Sequence, residues 1–170
     1  MTRILYVTDT HWRGTRPVSR RDPDYLRTQL NKLEEGLDIA RRYHVSAILH
    51  GGDLFDQPSP ADAVGRAFAE VLHKAPCPVY AIGGNHDQHG YNVGSLARAK
   101  VGLLEGAGLF RLIYPGEVVW LEADGLKVQV TGQPFHAEID RRDPVLDYCV
   151  RPMGEEGAVH YRHPEADFAI

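Results

Sequence analysis

The sequence predicts an α/β fold in which parallel strands alternate with helices. Short apolar runs of strand length are separated by segments with helical periodicity, and the first part of the chain reads βαβαβα. That order is typical of parallel strands joined by right-handed crossovers. The chain has 170 residues, of which 43% are hydrophobic, so we expect residues 1–170 to form a single domain with one core.

The first strand and the first helix are predicted from an apolar run and a periodic stripe. Residues 4–7 form the apolar run, and a polar, Arg-rich loop of residues 12–21 follows it. Asp22 is suited to cap the next helix, with Pro23 at its first position. On this helix, apolar residues recur at steps of three and four, namely Leu26, Leu30, Leu33, Leu37 and Ala40.

The same alternation continues along the next part of the chain. A second strand at residues 45–49 leads to a helix that Ser59 opens, and Asp62 gives this helix a start similar to a capping box. Residues 79–82 are predicted to form a third strand. A third helix is predicted at residues 95–106, which completes the alternating part of the fold.

Beyond Gly108 the pattern changes to closely spaced strands. These strands are separated by Gly turns and are predicted at residues 110–114, 118–121 and 126–131. We expect them to begin a second, more mixed sheet. Asp143 and Pro144 are suited to open a short helix that ends at Pro152, and residues 166–170 resemble the start of another strand.

Composition excludes some classes of protein and leaves others open. The formal charge of −4 gives no overall basic surface for nucleic acid, although a local basic patch could still bind it. The two cysteines, Cys77 and Cys149, show no pairing pattern and fit a reducing compartment. The sequence has no signal-peptide layout and no run of about 18 apolar residues, so we expect a soluble, cytoplasmic protein.

A polar motif follows each of the three predicted parallel strands. The motifs are Asp9-Thr10-His11, Gly52-Asp53-Leu54-Phe55-Asp56 and Gly84-Asn85-His86-Asp87. The carboxyl ends of parallel strands lie at one edge of a sheet, where open α/β sheets place their functional crevice. Three segments that are far apart in the sequence are therefore predicted to converge on one site.

The residue types in these motifs predict a two-metal site that hydrolyses a phosphate ester. Asp9 and His11 can bind one metal ion. Asp53 can bridge to a second ion, to which Asn85 can give a neutral oxygen. This mixture of carboxylate, amide and imidazole ligands favours manganese, iron or zinc over calcium. Two such ions, about 3.5–4 Å apart, would share a hydroxide and polarise the phosphate oxygens.

Three further residues of these motifs are predicted to support the chemistry. His86 is available as a general acid or to stabilise the leaving oxygen, and Asp87 would orient its imidazole. Asp56 would support a metal ligand from outside the metal shell. For both acidic residues the alternative is a carboxylate that only caps a loop.

Basic residues near the motifs are candidates for substrate binding. Four arginines share the loop after the first motif and could grip a phosphate backbone. They are Arg13, Arg16, Arg20 and Arg21. The alternative is a solvated loop whose charges are balanced by Asp22 and Asp24. His89 could also reach the substrate, whereas His50 is predicted to line the site or to lie at the surface.

The three motifs resemble those of the calcineurin-like metallophosphoesterase superfamily over residues 4 to about 90. Within it, residues 51–60, 80–87 and 131–135 are most similar to SbcD-type DNA-repair nucleases. The resemblance implies a metallophosphoesterase-type β-sandwich flanked by helices (αββα). It also implies two metal ions, most often manganese, phosphodiester hydrolysis, and a coiled-coil ATPase partner.

The superfamily completes its metal shell with later histidines, of which one follows a strand and two stand in a Gly-His-x-His segment. This sequence contains no Gly-His-x-His. We therefore expect these 170 residues to be the front part of a longer protein, with an incomplete second metal site and little activity alone. The alternative is that His136, or His160 with His163, replaces the missing ligands.

Three functions remain open on this basis. The first is an SbcD-like phosphodiesterase that acts on DNA, and the second is a phosphatase or phosphodiesterase for a small phosphorylated molecule. The third is a catalytically inactive scaffold or fragment. Salt separates the first two, because binding to a phosphate backbone weakens steeply as salt rises.

Overall fold

The computed structural model describes residues 2–138, 150–152 and 160–170. Four parallel strands form its first sheet, in chain order: β1 (Ile4–Val7), β2 (Ala47–His50), β3 (Val79–Ala81) and β4 (Arg111–Leu112). The α-helices between them are α1 (Tyr25–Arg42), α2 (Asp62–Leu72) and α3 (Lys100–Gly106). Two short 3₁₀ segments, His89–Tyr91 and Val93–Arg98, precede α3. The predicted alternation of parallel strands and helices is therefore confirmed.

The remaining strands follow α3 and β4 in the chain. They are β5 (Val118–Ala123), β6 (Leu126–Thr131), β7 (Val150–Pro152), β8 (His160–Arg162) and β9 (Phe168–Ala169). In the second sheet, β6 pairs antiparallel with β5 and parallel with β9, so this sheet is mixed, as predicted. β7 and β8 form a separate parallel pair.

Alternating side chains of the first sheet face two different layers. On β2, Ala47 and Leu49 pack against the second sheet, where Val128 and Val130 lie on the opposing strand. Ile48 points the other way, into a core that it shares with the three α-helices. The β-sandwich with flanking helices is confirmed. Within the described ranges, none of the helices has the length and apolar character needed to cross a membrane.

Two of the predicted helix caps are wrong. The N-cap of α1 is Asp24, whose carboxylate accepts a hydrogen bond from the Arg27 backbone N–H at 2.9 Å. Asp22 cannot play that part because its carboxylate binds the Arg20 guanidinium. Helix α2 begins later than predicted, after Ala61, and has no side-chain cap.

Three predictions for the later elements also need correction. The strand at residues 110–114 belongs to the first sheet, because Leu112 pairs in parallel with Ala81 of β3. The predicted third helix is interrupted at Ala99, whose backbone is extended. The helix predicted from Asp143 falls largely outside the described residues, and its predicted end at Pro152 lies in β7.

Candidate metal centre

The three motifs converge at the carboxyl ends of β1, β2 and β3. One ligand atom from each of His11, Asp53 and His86 lies within 4.8 Å of the other two. Each residue comes from a different motif and follows a different parallel strand. The first sheet therefore brings together residues that are more than thirty positions apart, as the sequence predicted.

Polar atoms of this cluster face one another across short gaps. The Nε2 atom of His11 lies 3.8 Å from Asp53 Oδ2 and 3.8 Å from Asp9 Oδ1. The His11 and His86 rings meet edge to face, with 4.6 Å between their centroids. The buried Nδ1 atom of His11 has no hydrogen-bond partner among the described residues, and Asp56 Oδ1 is 4.0 Å away from it. Two imidazoles and a carboxylate are thus placed where one ion could contact all three.

The backbone at the candidate ligands adopts a conformation that side chains normally avoid. Asp9, His11 and Asp53 have φ values of 53°, 43° and 52°. Each left-handed residue other than glycine costs on the order of 1–3 kcal/mol, and such strain concentrates at functional sites. The strain is held by backbone hydrogen bonds between the loops, from Asp9 N–H to Gly52 C=O and from His11 N–H to Asp53 C=O.

Trp12 anchors the first loop in the core, which the sequence did not predict. It was assigned to a polar loop, yet its side chain is only 4% exposed. The indole stacks on Phe68 of α2 at 4.3 Å and meets Phe55 edge to face at 5.5 Å. The residue that directly follows His11 is therefore fixed by aromatic packing.

Asp87 does not contact the His86 ring, so the predicted orienting role is wrong. Its carboxylate is fully buried and accepts hydrogen bonds from the backbone N–H groups of Leu54, Phe55 and Gly84. Burial raises the pKa of Asp87 to about 6, against the pull of these three donors, which favour the charged form. Asp87 thus joins the second motif to the third.

Asp56 and Asp53 hold His86 instead. The Asp56 backbone carbonyl lies 2.9 Å from His86 Nδ1, and Asp53 Oδ1 accepts the His86 backbone N–H at 2.8 Å. Because a carbonyl can only accept, the proton of the neutral ring lies on Nδ1 and the lone pair on Nε2. The orientation of His86 is therefore set by the second motif.

Gly84 is required because the loops approach one another closely. A Cβ atom at this position would overlap the Asp53 carboxylate and the Asp53 backbone nitrogen. Gly52 has a φ of +100° and also lies against Gly84. The glycines of the second and third motifs therefore allow the contact between the two loops.

The other predicted site residues lie around the cluster at different distances. Asn85 is half-buried, and its amide makes no hydrogen bond with the described part of the chain. Arg13 binds Asp56 at 2.9 Å, so it stands beside the cluster. Arg16 instead donates to the Asp22 carbonyl, as expected for the alternative of a solvated loop. The His89 ring contacts Ser59 Oγ at 3.2 Å.

The histidines proposed to replace later ligands do not join the cluster where their side chains are described. His163 packs on Trp120 of the second sheet, and its Nδ1 atom accepts the Glu165 backbone N–H. His136 is not among the described groups whose ligand atoms meet within 4.8 Å. The His160 side chain lies outside the described residues.

Two buried polar residues behind the first loop were missed or misassigned. Gln29 of α1 accepts from the Arg13 N–H and donates to the His11 carbonyl, both at 3.2 Å. His50 is 7% exposed and contacts Thr10 Oγ1 at 3.0 Å. A buried polar side chain among apolar helix positions was the available signal for Gln29. Its partners could not be known without the fold.

Because His50 is buried, we expect the free energy of unfolding to depend on pH. Burial lowers the pKa of His50 from 6.5 to about 4, which Asp9 partly opposes. The folded state then binds fewer protons than the unfolded state between these values, so its stability falls as pH drops from 6.5 to 4. Relative to His50→Gln, the wild type should lose up to about 3 kcal/mol across this window.

Urea unfolding of both proteins at several pH values measures this difference. The Asp87 contribution has the opposite sign, because its pKa is raised, but it is common to both proteins and cancels. A difference in unfolding free energy that stays constant from pH 6.5 to 4 would contradict the prediction.

Comparison with known proteins agrees with the geometry. The family model described as Calcineurin-like phosphoesterase matches residues 2–152. Two curated relatives are similar over part of the chain, both DNA double-strand break repair proteins Mre11. The protein from Sulfurisphaera tokodaii is 36% identical over 91 residues, which cover 51% of this chain and 22% of that protein. The protein from Saccharolobus solfataricus is 35% identical over 92 residues, which cover 51% of this chain and 23% of that protein.

The matched stretch therefore spans less than a quarter of each curated relative. Among solved structures, an archaeal phosphodiesterase is similar with a TM-score of 0.39 and 16% sequence identity. That similarity covers 81% of this chain and 62% of the solved one.

Proposed function

This chain belongs to the calcineurin-like phosphoesterase family, and we propose that it is a divalent-metal-dependent phosphodiesterase that acts on DNA. The observation that carries the proposal is the cluster of His11, Asp53 and His86 at the carboxyl ends of three parallel strands. Strained backbone at two of these residues supports a functional site rather than a structural one.

The donor atoms of the cluster fit a divalent ion. Imidazole nitrogen combined with carboxylate oxygen suits manganese, iron or zinc. Within the described residues the Nδ1 atom of His11 has no hydrogen-bond partner, and its Nε2 atom faces the carboxylates of Asp9 and Asp53. We propose that Asp9 and Asn85 add oxygen ligands at the rim, which would allow a second ion. A bound ion would polarise the phosphate and lower the pKa of a coordinated water.

The chain's own residues set the protonation and orientation of the cluster. His86 presents the lone pair of Nε2 because its Nδ1–H is held by the Asp56 carbonyl. This nitrogen can coordinate an ion or, once protonated, donate to the leaving oxygen as a general acid. We propose that Arg13, which pairs with Asp56 beside the cluster, binds a non-bridging phosphate oxygen.

DNA is the proposed substrate because both curated relatives are named as DNA double-strand break repair proteins. The chain's net charge of −4 means that affinity must come from local groups such as Arg13. A coiled-coil ATPase partner, which the resemblance implies, stays a prediction that co-purification with the ATPase would test.

The test is hydrolysis by the manganese-loaded chain of a DNA oligonucleotide and of a small chromogenic phosphodiester. We expect slow cleavage of both, because the second metal site is predicted to be incomplete, and we expect manganese to be required. Between 50 and 200 mM salt, apparent affinity for DNA should fall steeply, while the small diester responds mildly. Cleavage of the small diester without DNA cleavage would favour a small phosphorylated substrate. Manganese binding without any cleavage would favour the catalytically inactive scaffold or fragment.

A further inference from the structure

A buried imidazole spans the two loops that carry the candidate metal ligands. His50 ends β2, and its ring faces the helices rather than the cluster. Its Nδ1 atom lies 3.2 Å from the Gly52 backbone N–H, and its Nε2 atom lies 3.0 Å from Thr10 Oγ1. Thr10 Oγ1 in turn donates to the Leu54 carbonyl at 3.1 Å. One side chain therefore connects the first motif with both sides of Asp53.

The three hydrogen bonds that link Gly52, His50, Thr10 and Leu54 can have only one direction from donor to acceptor. A backbone N–H must donate, so His50 Nδ1 accepts from Gly52 and the ring proton lies on Nε2. Nε2–H then donates to Thr10 Oγ1, whose own proton goes to the Leu54 carbonyl. Every polar atom of the two side chains is satisfied by this arrangement.

Thr10 lies between two residues whose backbone is left-handed. Asp9 and His11 flank it, with φ values of 53° and 43°. In the second loop, Asp53 lies between Gly52 and Leu54, to which His50 and Thr10 are hydrogen-bonded. A cavity of about 350 Å³ lies behind these residues, between α1 and the first sheet, and Thr10 and His50 line it. If the hydrogen bonds were lost, the first loop would have space to relax.

We propose that His50 and Thr10 form a positioning pair that holds His11 and Asp53 at ligand distance before an ion binds. This inference rests on the proposed function, because it assumes that the cluster binds a metal ion. The pair touches neither ion nor substrate; it fixes the backbone that carries the ligands. Partners of this kind typically change metal affinity by about 10–100-fold when they are removed.

The test is manganese affinity by isothermal titration calorimetry on the full chain. Thr10→Val keeps the shape of the side chain but removes the hydroxyl, and Thr10→Ser keeps the hydroxyl. We expect Thr10→Val to weaken manganese binding about tenfold or more and Thr10→Ser to stay close to wild type. Thr131→Val is the matched control, since Thr131 is on β6 and its hydroxyl bonds Ile170.

Unfolding in urea separates positioning from folding. If Thr10→Val is less stable, its manganese affinity is measured without urea, where the variant is folded. His50→Gln gives a second variant, with a polar side chain of similar reach. Weaker binding in both folded variants, with rescue by Thr10→Ser, supports the pair. Wild-type affinity in a folded Thr10→Val protein overturns it.

The outcomes also separate this inference from the proposed function. A wild-type chain that binds manganese but cleaves no phosphodiester overturns the proposed function, while the affinities still decide whether the pair positions the ligands. A wild-type chain that binds no manganese, zinc or iron overturns both.

Discussion

Replacing Asp53 with asparagine is expected to remove metal binding at the cluster and to lower phosphodiester hydrolysis by about 10³-fold, or about 4 kcal/mol in the activation barrier. Asp53 Oδ2 faces His11 Nε2, and Oδ1 accepts the His86 backbone N–H. Asparagine keeps the second contact but loses the negative charge that would balance a divalent ion. The fold should therefore survive while the metal affinity does not.

Asp38→Asn is the matched control for this substitution. Asp38 lies on α1, is 70% exposed and pairs with Arg41, so its loss should leave both metal binding and hydrolysis unchanged. Calorimetric titration with manganese, followed by rates on the chromogenic diester, measures both effects. Wild-type manganese affinity in the Asp53→Asn protein would show that the cluster is not the metal site.

The convergence of the candidate ligands was predictable because it depends on topology alone. Parallel strands place their carboxyl ends at one edge of the sheet, so motifs that follow β1, β2 and β3 must meet at that edge. This holds whichever side chains surround the motifs. The strand at residues 4–7 and that at 126–131 were predicted with the bounds that the structure shows. Apolar runs bounded by turn residues carry that information locally.

Partner choice could not be predicted because residue type alone does not decide which of several suitable partners a side chain binds. Asp22 and Asp24 are equally good caps by type, and Arg20 decides between them by binding Asp22. His86 and Asp87 are adjacent, so a contact between them was expected, yet their side chains bind different segments of the second motif. Such choices depend on loop geometry that only the assembled sheet defines.

Replacing Asp87 with leucine is expected to destabilise the protein by about 3–9 kcal/mol, because three buried or partly buried N–H donors would each lose an acceptor at about 1–3 kcal/mol. The donors belong to Leu54, Phe55 and Gly84. A loss of this size is a large part of the total free energy of unfolding of a small domain. The loss should thus appear as a greatly lowered urea midpoint or as a chain that does not fold.

A graded series distinguishes the loss of acceptors from a general effect of substitution at a buried site. Asp87→Asn keeps one acceptor oxygen, which can serve Leu54 and Gly84, and leaves only the Phe55 N–H facing an amide. Its stability should therefore lie between wild type and Asp87→Leu, while Asp38→Leu on the exposed face of α1 changes stability by less than about 1 kcal/mol. Equal stability of Asp87→Leu and wild type would mean that the second and third motifs are held together by other contacts. The order wild type, Asn, Leu would instead identify Asp87 as the residue that joins the loops carrying Asp53 and His86.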